Sequence, residues 1–595
     1  MNKIINSVLS LLILPALAVG QQKYLSPTHI TPCGDKGYVV LSTLPAIAKL
    51  NMDSETLLAT FPMKFTPGNI AVSADGSVLY VTEYAGNGKL HTVSSQDGRI
   101  LSSVTVGSYP MGVCVDKSGE RAWVANRFSN DLSVIDLKKH RETARVPMVR
   151  EPKSVILSPD GRTVVVANYL PNQPANEVLV TAEVSFVDTY NNAVLAHVPL
   201  PNGAQQLEDL CFSKKGDLVF VTHLLSRFQF PTTHLERGWM NSNALSILNT
   251  YTKEVEATVL LDDQYRGAAN PCGLTLSEDG ENLLIAISGT HELIVLDLPS
   301  MMRKIRGSES TVLALSNDLL FLGTIKKRLP LSGKGARYVA EKDGKVFVSD
   351  YFSGQLSVVD LADPRVVRSI KLGNEPEMDD IRKGELNFAD ANLCFQNWQS
   401  CISCHPEART DGFNWDQMND GMGNPKNSKS LLYSHFTPPS MITGIRKDAE
   451  TAVRAGYRYI SFNQLPEEEA VKVDKYLRSL EALPSPYLIN GKLSKKAEQG
   501  KKLFEKAGCA SCHSGKYHTN GNKYNVGTGI EEYDGFAFDT PTLNEVWRTA
   551  PYLYDGRAKT MREVLTIFNK DDKHGKTSNL NEKELQALEE YILSL

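Results

Sequence analysis

The chain has 595 residues, 42% of them apolar and 22% charged, with a net charge of −4. That length exceeds one ordinary domain, so two to four are expected, and the composition is ordinary for a soluble globular protein. No basic stripe appears, which removes nucleic acid from the expected partners.

The N-terminus reads as a targeting segment. Lys3 supplies a positive charge, Ile4 to Val19 is mostly apolar, and Ala16-Leu17-Ala18 or Ala18-Val19-Gly20 offers a cleavage site before polar Gln21-Gln22. A signal peptide over 1–20 is expected; the alternative is an uncleaved anchor. No later stretch reaches the length of a membrane span. The mature chain is therefore expected without a transmembrane segment, exported to the periplasm or the cell surface.

Residues 21–372 carry a repeat: a short strand, a Gly turn, then a second strand rich in Val and aromatic residues. It is clear at Ile70–Val81, Val113–Val124 and Val155–Val166, with further copies centred on Gly216, Gly280 and Gly344 and a degenerate first one on Gly37. A third, alternating element follows, as in Leu132–Asp136 and Leu356–Asp360. Longer spacings fit loop insertions at Leu170 to Glu177 and Ser226 to Asn241. Four short strands per copy and seven Gly anchors predict a seven-bladed propeller, whose radial repetition protects sheet edges. The copies resemble the YVTN family of β-propeller repeats, in Leu79-Tyr80-Val81-Thr82 and Trp123-Val124-Ala125-Asn126. His223, His234 and His291 are candidates for a site on the propeller, or are core and loop histidines. Trp239 with Arg237 in the longest insertion could touch a ligand or the following region.

Residues 373–385 read as a polar linker. Beyond it, helical spacing replaces alternation, at Glu467 to Leu480 and Leu580 to Leu595. Two pentapeptides dominate this region, Cys401-Ile402-Ser403-Cys404-His405 and Cys509-Ala510-Ser511-Cys512-His513. The spacing is that of c-type haem attachment. Two thiols form thioethers to one haem, and the adjoining His ligates its iron. Zinc would want further Cys or His nearby, and a redox dithiol would not need the His twice. Two covalently bound haem c groups are expected, on Cys401, Cys404 and His405 and on Cys509, Cys512 and His513. Cys33, Cys114, Cys211, Cys272 and Cys394 remain, an odd number whose pairing cannot be read; buried packing is expected for Cys114 and Cys272.

The two halves match each other. Gly384-Glu385-Leu386-Asn387-Phe388 answers Gly500-Lys501-Lys502-Leu503-Phe504. Thr437-Pro438-Pro439 with Gly444 and Arg446 answers Thr549-Ala550-Pro551 with Gly556 and Arg557, and Tyr476–Leu480 answers Tyr591–Leu595. Two mainly α-helical cytochrome c-like domains, 386–485 and 486–595, are expected. With Asp539–Asn544, Thr549–Arg557 and Thr560–Val564, this region resembles the dihaem cytochrome c peroxidase family, including its MauG-like members. The resemblance implies that the first haem meets peroxide or a similar small oxidant, while the second relays electrons from a small redox protein or other donor.

The sixth iron ligands decide function, since an open position binds oxidant and a strong second ligand makes an electron carrier. The family takes a Met or Tyr at the second haem. Phe568 stands at the matching place and cannot ligate, which points to His574, with Met561 as the alternative and His518 placed in the loop at the haem rim. Around the first haem the candidates are Met418, Met422, Met441 and His435. His435 is the leading candidate for catalytic acid–base, alongside Asp411, Asp416 and Asp420. The family's bridging Trp is missing from Ser440–Arg446; Trp415 or Trp547 would substitute, or pack a core. The family also holds Ca²⁺ between its haem domains, but no ligand set here places one. The expected function is an exported dihaem oxidoreductase of peroxidase type, with the propeller docking a donor or a surface or protein partner, or holding the haem domains. The alternatives are a non-enzymatic electron carrier on a propeller scaffold, and substrate oxidation in the propeller with the haems as electron exit.

Overall fold

A computed structural model of the chain describes residues 23–231, 240–365, 367–417 and 423–595. The signal-peptide expectation and the candidates His234, Arg237, Trp239, Met418, Asp420 and Met422 lie outside the described residues.

Seven four-stranded antiparallel sheets follow one another, each a meander hydrogen-bonded in chain order, over 27–62, 67–105, 110–147, 152–199, 204–260, 271–330 and 336–371. The first strand of each blade packs on the first strands of its neighbours, and Pro27–Cys33 meets Ala336–Lys342 of the last blade. The ring therefore closes by packing, without strand exchange. Ion pairs join the seam, Arg368 to Glu55 at 2.6 Å and Lys345 to Glu55 at 2.8 Å. Alternate side chains interleave between blades, as in the shared cluster of Leu41, Ala48, Phe347 and Val358. Inward-facing apolar residues on every strand are what the repeat pattern demands.

The turn glycines at 76, 119, 161, 216, 280 and 344 all have positive φ, between 68° and 81°. This left-handed region is open to Gly at no steric cost. In the first blade the role falls to Gly34 (φ 57°), not to the expected Gly37, which lies inside the strand Lys36–Leu41. The fifth blade departs from the rest. Its first three strands, Ala204–Phe212, Leu218–Ser226 and Asn241–Asn249, have nine residues each, where the corresponding strands elsewhere have six or seven. The extra length is about 10 Å at 3.3 Å per residue.

Two helices, α1 (Leu298–Arg306) and α2 (Val312–Leu315), are inserted before the last strand of the sixth blade. Asp297 caps α1 by accepting from the Ser300 amide, and Leu298, Met301, Met302 and Ile305 bury one face.

The helical region begins at α3 (Asp380–Ala389), whose first turns occupy the stretch expected to be a linker. It continues with α4 (Ala449–Tyr459), α5 (Glu467–Arg478), α6 (Lys495–Lys506), α7 (Met561–Leu565) and α8 (Glu582–Leu593). Three glutamates open α5 and Lys475 and Arg478 close it, which suits the helix dipole. A reciprocal cap between Asn581 and Glu584 starts α8.

One backbone frame occurs twice. α3 crosses α5 at Gly384, where a Cβ would strike the Lys472 carbonyl and Tyr476. α6 crosses α8 at Gly500, where it would strike the Ala587 carbonyl and Tyr591. Tyr433 (φ 59°) and Met441 (φ 73°) recur as Glu545 (φ 58°) and Leu553 (φ 75°), with cis peptides at Pro438-Pro439 and Ala550-Pro551. The bridge Ser440 to Arg446 recurs as Tyr552 to Ala558, so Arg446 answers Ala558 rather than Arg557. Among the described residues no helix is long and apolar enough to cross a membrane.

Candidate haem-attachment sites

Each pentapeptide forms one tight turn, at Cys401–Ser403 and Cys509–Ser511. The turn sets the two thiols and the following His around one point. His405 donates from Nδ1 to the Arg409 carbonyl at 3.0 Å, and His513 from Nδ1 to the His518 carbonyl at 3.1 Å. A carbonyl only accepts, so Nδ1 carries the hydrogen and Nε2 is left to ligate. Burial pushes both imidazoles below their ordinary pKa, which keeps them neutral. All nine cysteines are free thiols, so neither pair is closed by a disulfide.

The first turn opens on a cavity of about 480 Å³. Cys401, Cys404 and His405 line it together with Phe388, Trp415 and Leu477. Free thiols, one locked imidazole and an apolar wall fit a covalently held haem. Among the described residues lining the cavity, His405 is the sole histidine and Met441 the sole thioether.

His435 does not take the place expected of it. Its Nε2 faces Asp474 at 3.0 Å and its Nδ1 faces Ser434 Oγ at 3.3 Å. Asp474 in turn pairs with Arg454. Ser434 and Thr437 reach the cavity wall and His435 does not. The 3₁₀ turn Ser434–Phe436 points this ring into the contact between the turn and α5, so neither ligation nor proton transfer in the cavity follows from its position.

Asp411 is fully buried and accepts from Trp415 Nε1 at 2.9 Å, Ser428 Oγ at 2.5 Å and the Phe413 amide at 3.1 Å. Trp415 and Ser428 line the cavity, so Asp411 stands one residue behind its wall. Burial, opposed by these hydrogen bonds, pushes its carboxyl up to about 6. Asp416 is buried and accepts from the Gly423 amide at 2.7 Å.

The second turn faces a histidine. The His513 and His574 rings lie 6.4 Å apart, centre to centre, at 39°. Two metal–imidazole bonds of about 2 Å plus the two ring radii give a span of about 6 Å. The His574 Nδ1 is shielded from solvent and finds no hydrogen-bond partner. Burial lowers it to about 4. Asn569 pins the loop: its Oδ1 accepts from the His574 amide at 2.8 Å, and its Nδ2 donates to the Gly575 carbonyl at 2.7 Å. Met561 is packed in the α7–α8 core with Val564, Leu588 and Ile592. His518 bonds Asn544 and belongs to the loop, as expected.

The propeller holds the first turn directly, which the sequence reading missed. Gln205 and Gln206 donate to the Ser403 carbonyl at 2.9 and 3.1 Å, and Gln206 also to the Ile402 carbonyl at 3.0 Å. Asn270 donates to Ser403 Oγ at 3.1 Å and accepts from Ser400 Oγ at 2.9 Å. Asn241 reaches Gln399 at 2.9 Å and Cys404 Sγ at 3.5 Å. Three of these four sit at the ends of the long fifth-blade strands. Val180, Phe228 and Met240 of the propeller share one apolar cluster with Phe413, Trp415 and Cys404. The strand lengthening in the fifth blade, interrupted by its polar ends, was the signal available.

An ion network, buried at Arg127, Glu151 and Arg548 and partly exposed at Glu407, ties propeller and both halves. Arg127 pairs with Glu151 at 2.8 Å and with Glu407; Arg548 pairs with Glu407 at 2.9 Å. Desolvation would push the Glu407 carboxyl up, but Arg127 and Arg548 hold it well below the usual carboxylate range. Arg409 binds Glu545 through two bonds of 2.6 and 2.9 Å.

The remaining candidates have structural roles. His223 is fully buried between the Leu224 carbonyl and Ser246. His291 faces Asp390 at 3.3 Å across the propeller–helix junction. Trp547 packs edge-on against Phe128 of the propeller at 4.9 Å, and Trp415 stays inside the first pocket; neither bridges the halves. Among the described residues no three His, Cys, Asp or Glu gather as a further cation site.

Comparison with known proteins places this geometry. The cytochrome c-550 domain family matches residues 491–595. The chain is 29% identical over 273 residues to hydrazine synthase subunit gamma of Kuenenia stuttgartiensis, covering 36% of this chain and 77% of that one. It is 24% identical over 331 residues to the cytochrome-c peroxidase IdrP2 of Pseudomonas sp. (strain SCT), covering 41% of this chain and 86% of that one. A solved chain of Kuenenia stuttgartiensis hydrazine synthase superposes with a TM-score of 0.53 at 23% identity, over 58% of this chain and 98% of that one. The chain is a seven-bladed β-propeller fused to a cytochrome c peroxidase-like region, a c-type cytochrome with covalently bound haem c.

Proposed function

We propose that the protein is an exported dihaem c-type cytochrome of peroxidase type, with two cytochrome c-like domains, in which the first site reduces a small oxidant and the second relays electrons to it. Cys401, Cys404 and His405 would hold one haem, and Cys509, Cys512, His513 and His574 the other. A bound haem supplies a one-electron redox centre whose reactivity depends on its sixth position.

The observation that carries this reading is the difference between the two sites. His574 stands opposite His513 with its ring 6.4 Å away, an arrangement suited to closing the second site as an electron carrier. The first cavity offers no second histidine among its described lining residues, an arrangement suited to admitting a small molecule. Asp411, behind Trp415 and Ser428, is the buried carboxyl nearest in kind to a proton store for that cavity. It replaces His435 in this role. Arg409, through its carbonyl, fixes the tautomer of His405 while its guanidinium binds Glu545 of the other half.

Among the described residues no helix is long and apolar enough to cross a membrane, which is compatible with export, and the peroxidase relative supports a redox partner as donor. The higher identity to hydrazine synthase subunit gamma supports a second reading, in which the small molecule of the first cavity is a nitrogen compound rather than a peroxide.

The test is peroxide consumption by the reduced, full-length holoprotein with spectra recorded at both haems. Turnover with oxidation appearing first at the Cys401–His405 haem is expected. A protein that consumes no peroxide, yet binds hydroxylamine or nitric oxide at that haem, transfers the reading to nitrogen chemistry. A protein inert to all three is an electron carrier only.

A further inference from the structure

The wall of the first cavity carries charge of one sign. Lys426, Lys429 and Arg446 line it, and among its described lining residues there is no Asp or Glu. Two of the three cations are engaged. Lys429 pairs with Asp539 of the second half at 2.6 Å. Lys426 donates to the Asn424 carbonyl at 2.9 Å and lies 4.8 Å from the centre of the Tyr533 ring. Arg446 is half-buried, and among the described residues its guanidinium has no ion-pair or hydrogen-bond partner.

A hydroxyl stands beside it in the fold. Ser440 and Arg446 face each other in one antiparallel bridge, the Ser440 amide donating to the Arg446 carbonyl at 2.9 Å. Ser440 also lines the cavity; it is 8% exposed, and its Oγ has no hydrogen-bond partner. A buried donor left without an acceptor costs free energy, so a vacant pair of donors at one cavity wall calls for an acceptor from outside the chain. The duplicated frame supplies the control. In the second half the same bridge joins Tyr552 to Ala558. Ala558 is fully buried, and Tyr552 spends its hydroxyl on the Val546 carbonyl at 3.0 Å. The frame is therefore built without this pair of donors, and the pair in the first half answers to something the second half lacks.

We propose that the first cavity receives its small molecule as an anion, a small oxyanion held by Arg446 and Ser440. This rests on the reading of that cavity as the open haem site. A guanidinium presents a planar fork of N–H donors that matches two oxygens of one oxyanion, and the Ser440 hydroxyl adds a third donor. Cations along low-dielectric walls also raise the local concentration of anions. A neutral molecule of the same size gains nothing from the charge of Arg446, so this residue selects by charge.

The experiment uses the full-length holoprotein as wild type, Arg446→Gln and Ser440→Ala. Intact mass is measured first; fewer than two covalent haems would sink the dihaem reading itself. Nitrite, an anion, and nitric oxide, a neutral molecule, are then titrated against the oxidised protein and followed in the spectrum of the Cys401–His405 haem. Arg446→Gln is expected to weaken nitrite binding about tenfold or more, with nitric oxide binding within about twofold of wild type, and Ser440→Ala to weaken nitrite binding about threefold. Nitrite bound equally by wild type and Arg446→Gln, or nitrite and nitric oxide weakened alike, assigns Arg446 to holding the haem and overturns the proposal. Wild type that binds nitric oxide but not nitrite overturns it and leaves the open site in place; binding of neither removes the open site on which it rests. Should Arg446→Gln fail to fold, Arg446→Lys, which keeps the charge and loses the fork, is expected to weaken nitrite binding about threefold with nitric oxide binding unmoved.

Discussion

The two halves of the helical region share a backbone and differ in what surrounds it. Gly384 and Gly500 make the same helix crossing, and Tyr433 and Glu545 the same left-handed turn. His405 and His513 are oriented by the same kind of carbonyl. Around the first motif stand propeller amides and an apolar cavity; around the second stands a short loop that presents His574. In the proposed reading a duplicated frame fixes where a haem attaches, and its neighbours decide what the iron can do. The lesson is that motif spacing reports cofactor, while the sixth position must be read from elements far away in the chain.

The strongest way to break this contrast is to remove His574. In His574→Ala the second site loses the imbalance with the first, so its haem should change from low-spin to ligand-binding. Absorption and electron paramagnetic resonance spectra check this, and an unchanged low-spin signal would place the ligand elsewhere.

Next in size is the tie between the halves. Arg409→Leu leaves the Glu545 carboxylate, 0% exposed in its side chain, without its bidentate partner. Removing one member of a buried pair costs about 3–5 kcal/mol. Denaturant unfolding measures it, and a loss below 1 kcal/mol, on the order of a surface pair, would show the contact to be incidental.

Asp411 sharpens the contrast through pH. Its carboxyl, near 6 in the folded state against an ordinary 3.8, favours folding while protonated. That contribution is present below about pH 4 and lost as pH rises through about 6, because the folded state then binds more protons than the unfolded one. The whole change is about 3 kcal/mol. Asp411→Asn should flatten the stability profile across this window, with unfolding midpoints followed from pH 4 to pH 7.

The smallest effect belongs to the propeller clasp. Asn270→Ala removes its bonds to Ser400 and Ser403, worth about 1–3 kcal/mol when a buried partner is left unsatisfied. Hydrogen exchange should quicken at Ser400 to Cys404 and stay unchanged at Cys509 to Cys512; equal change at both would deny the propeller a role specific to the first site.

Much of this was legible in the sequence. Seven turn glycines announce seven blades because only a left-handed turn residue fits the hairpin, and the sole slip, Gly37 for Gly34, fell where the repeat is most degenerate. The nearness of His574 to His513, with the rings 6.4 Å apart, agrees with the choice of His574 over Phe568 as a candidate, which rested on Phe being unable to ligate. His435 was misplaced because its role is set by Asp474, 39 residues away on α5. Gln205 and Asn270 were invisible because polar strand ends are common, and only the assembled interface selects them.

The central claim is that one site is open and the other closed. Cyanide titration of the oxidised, full-length holoprotein tests it most directly: one equivalent should bind per chain, at the Cys401–His405 haem, with the second haem's spectrum unmoved. Binding of two equivalents, or of none, would contradict it.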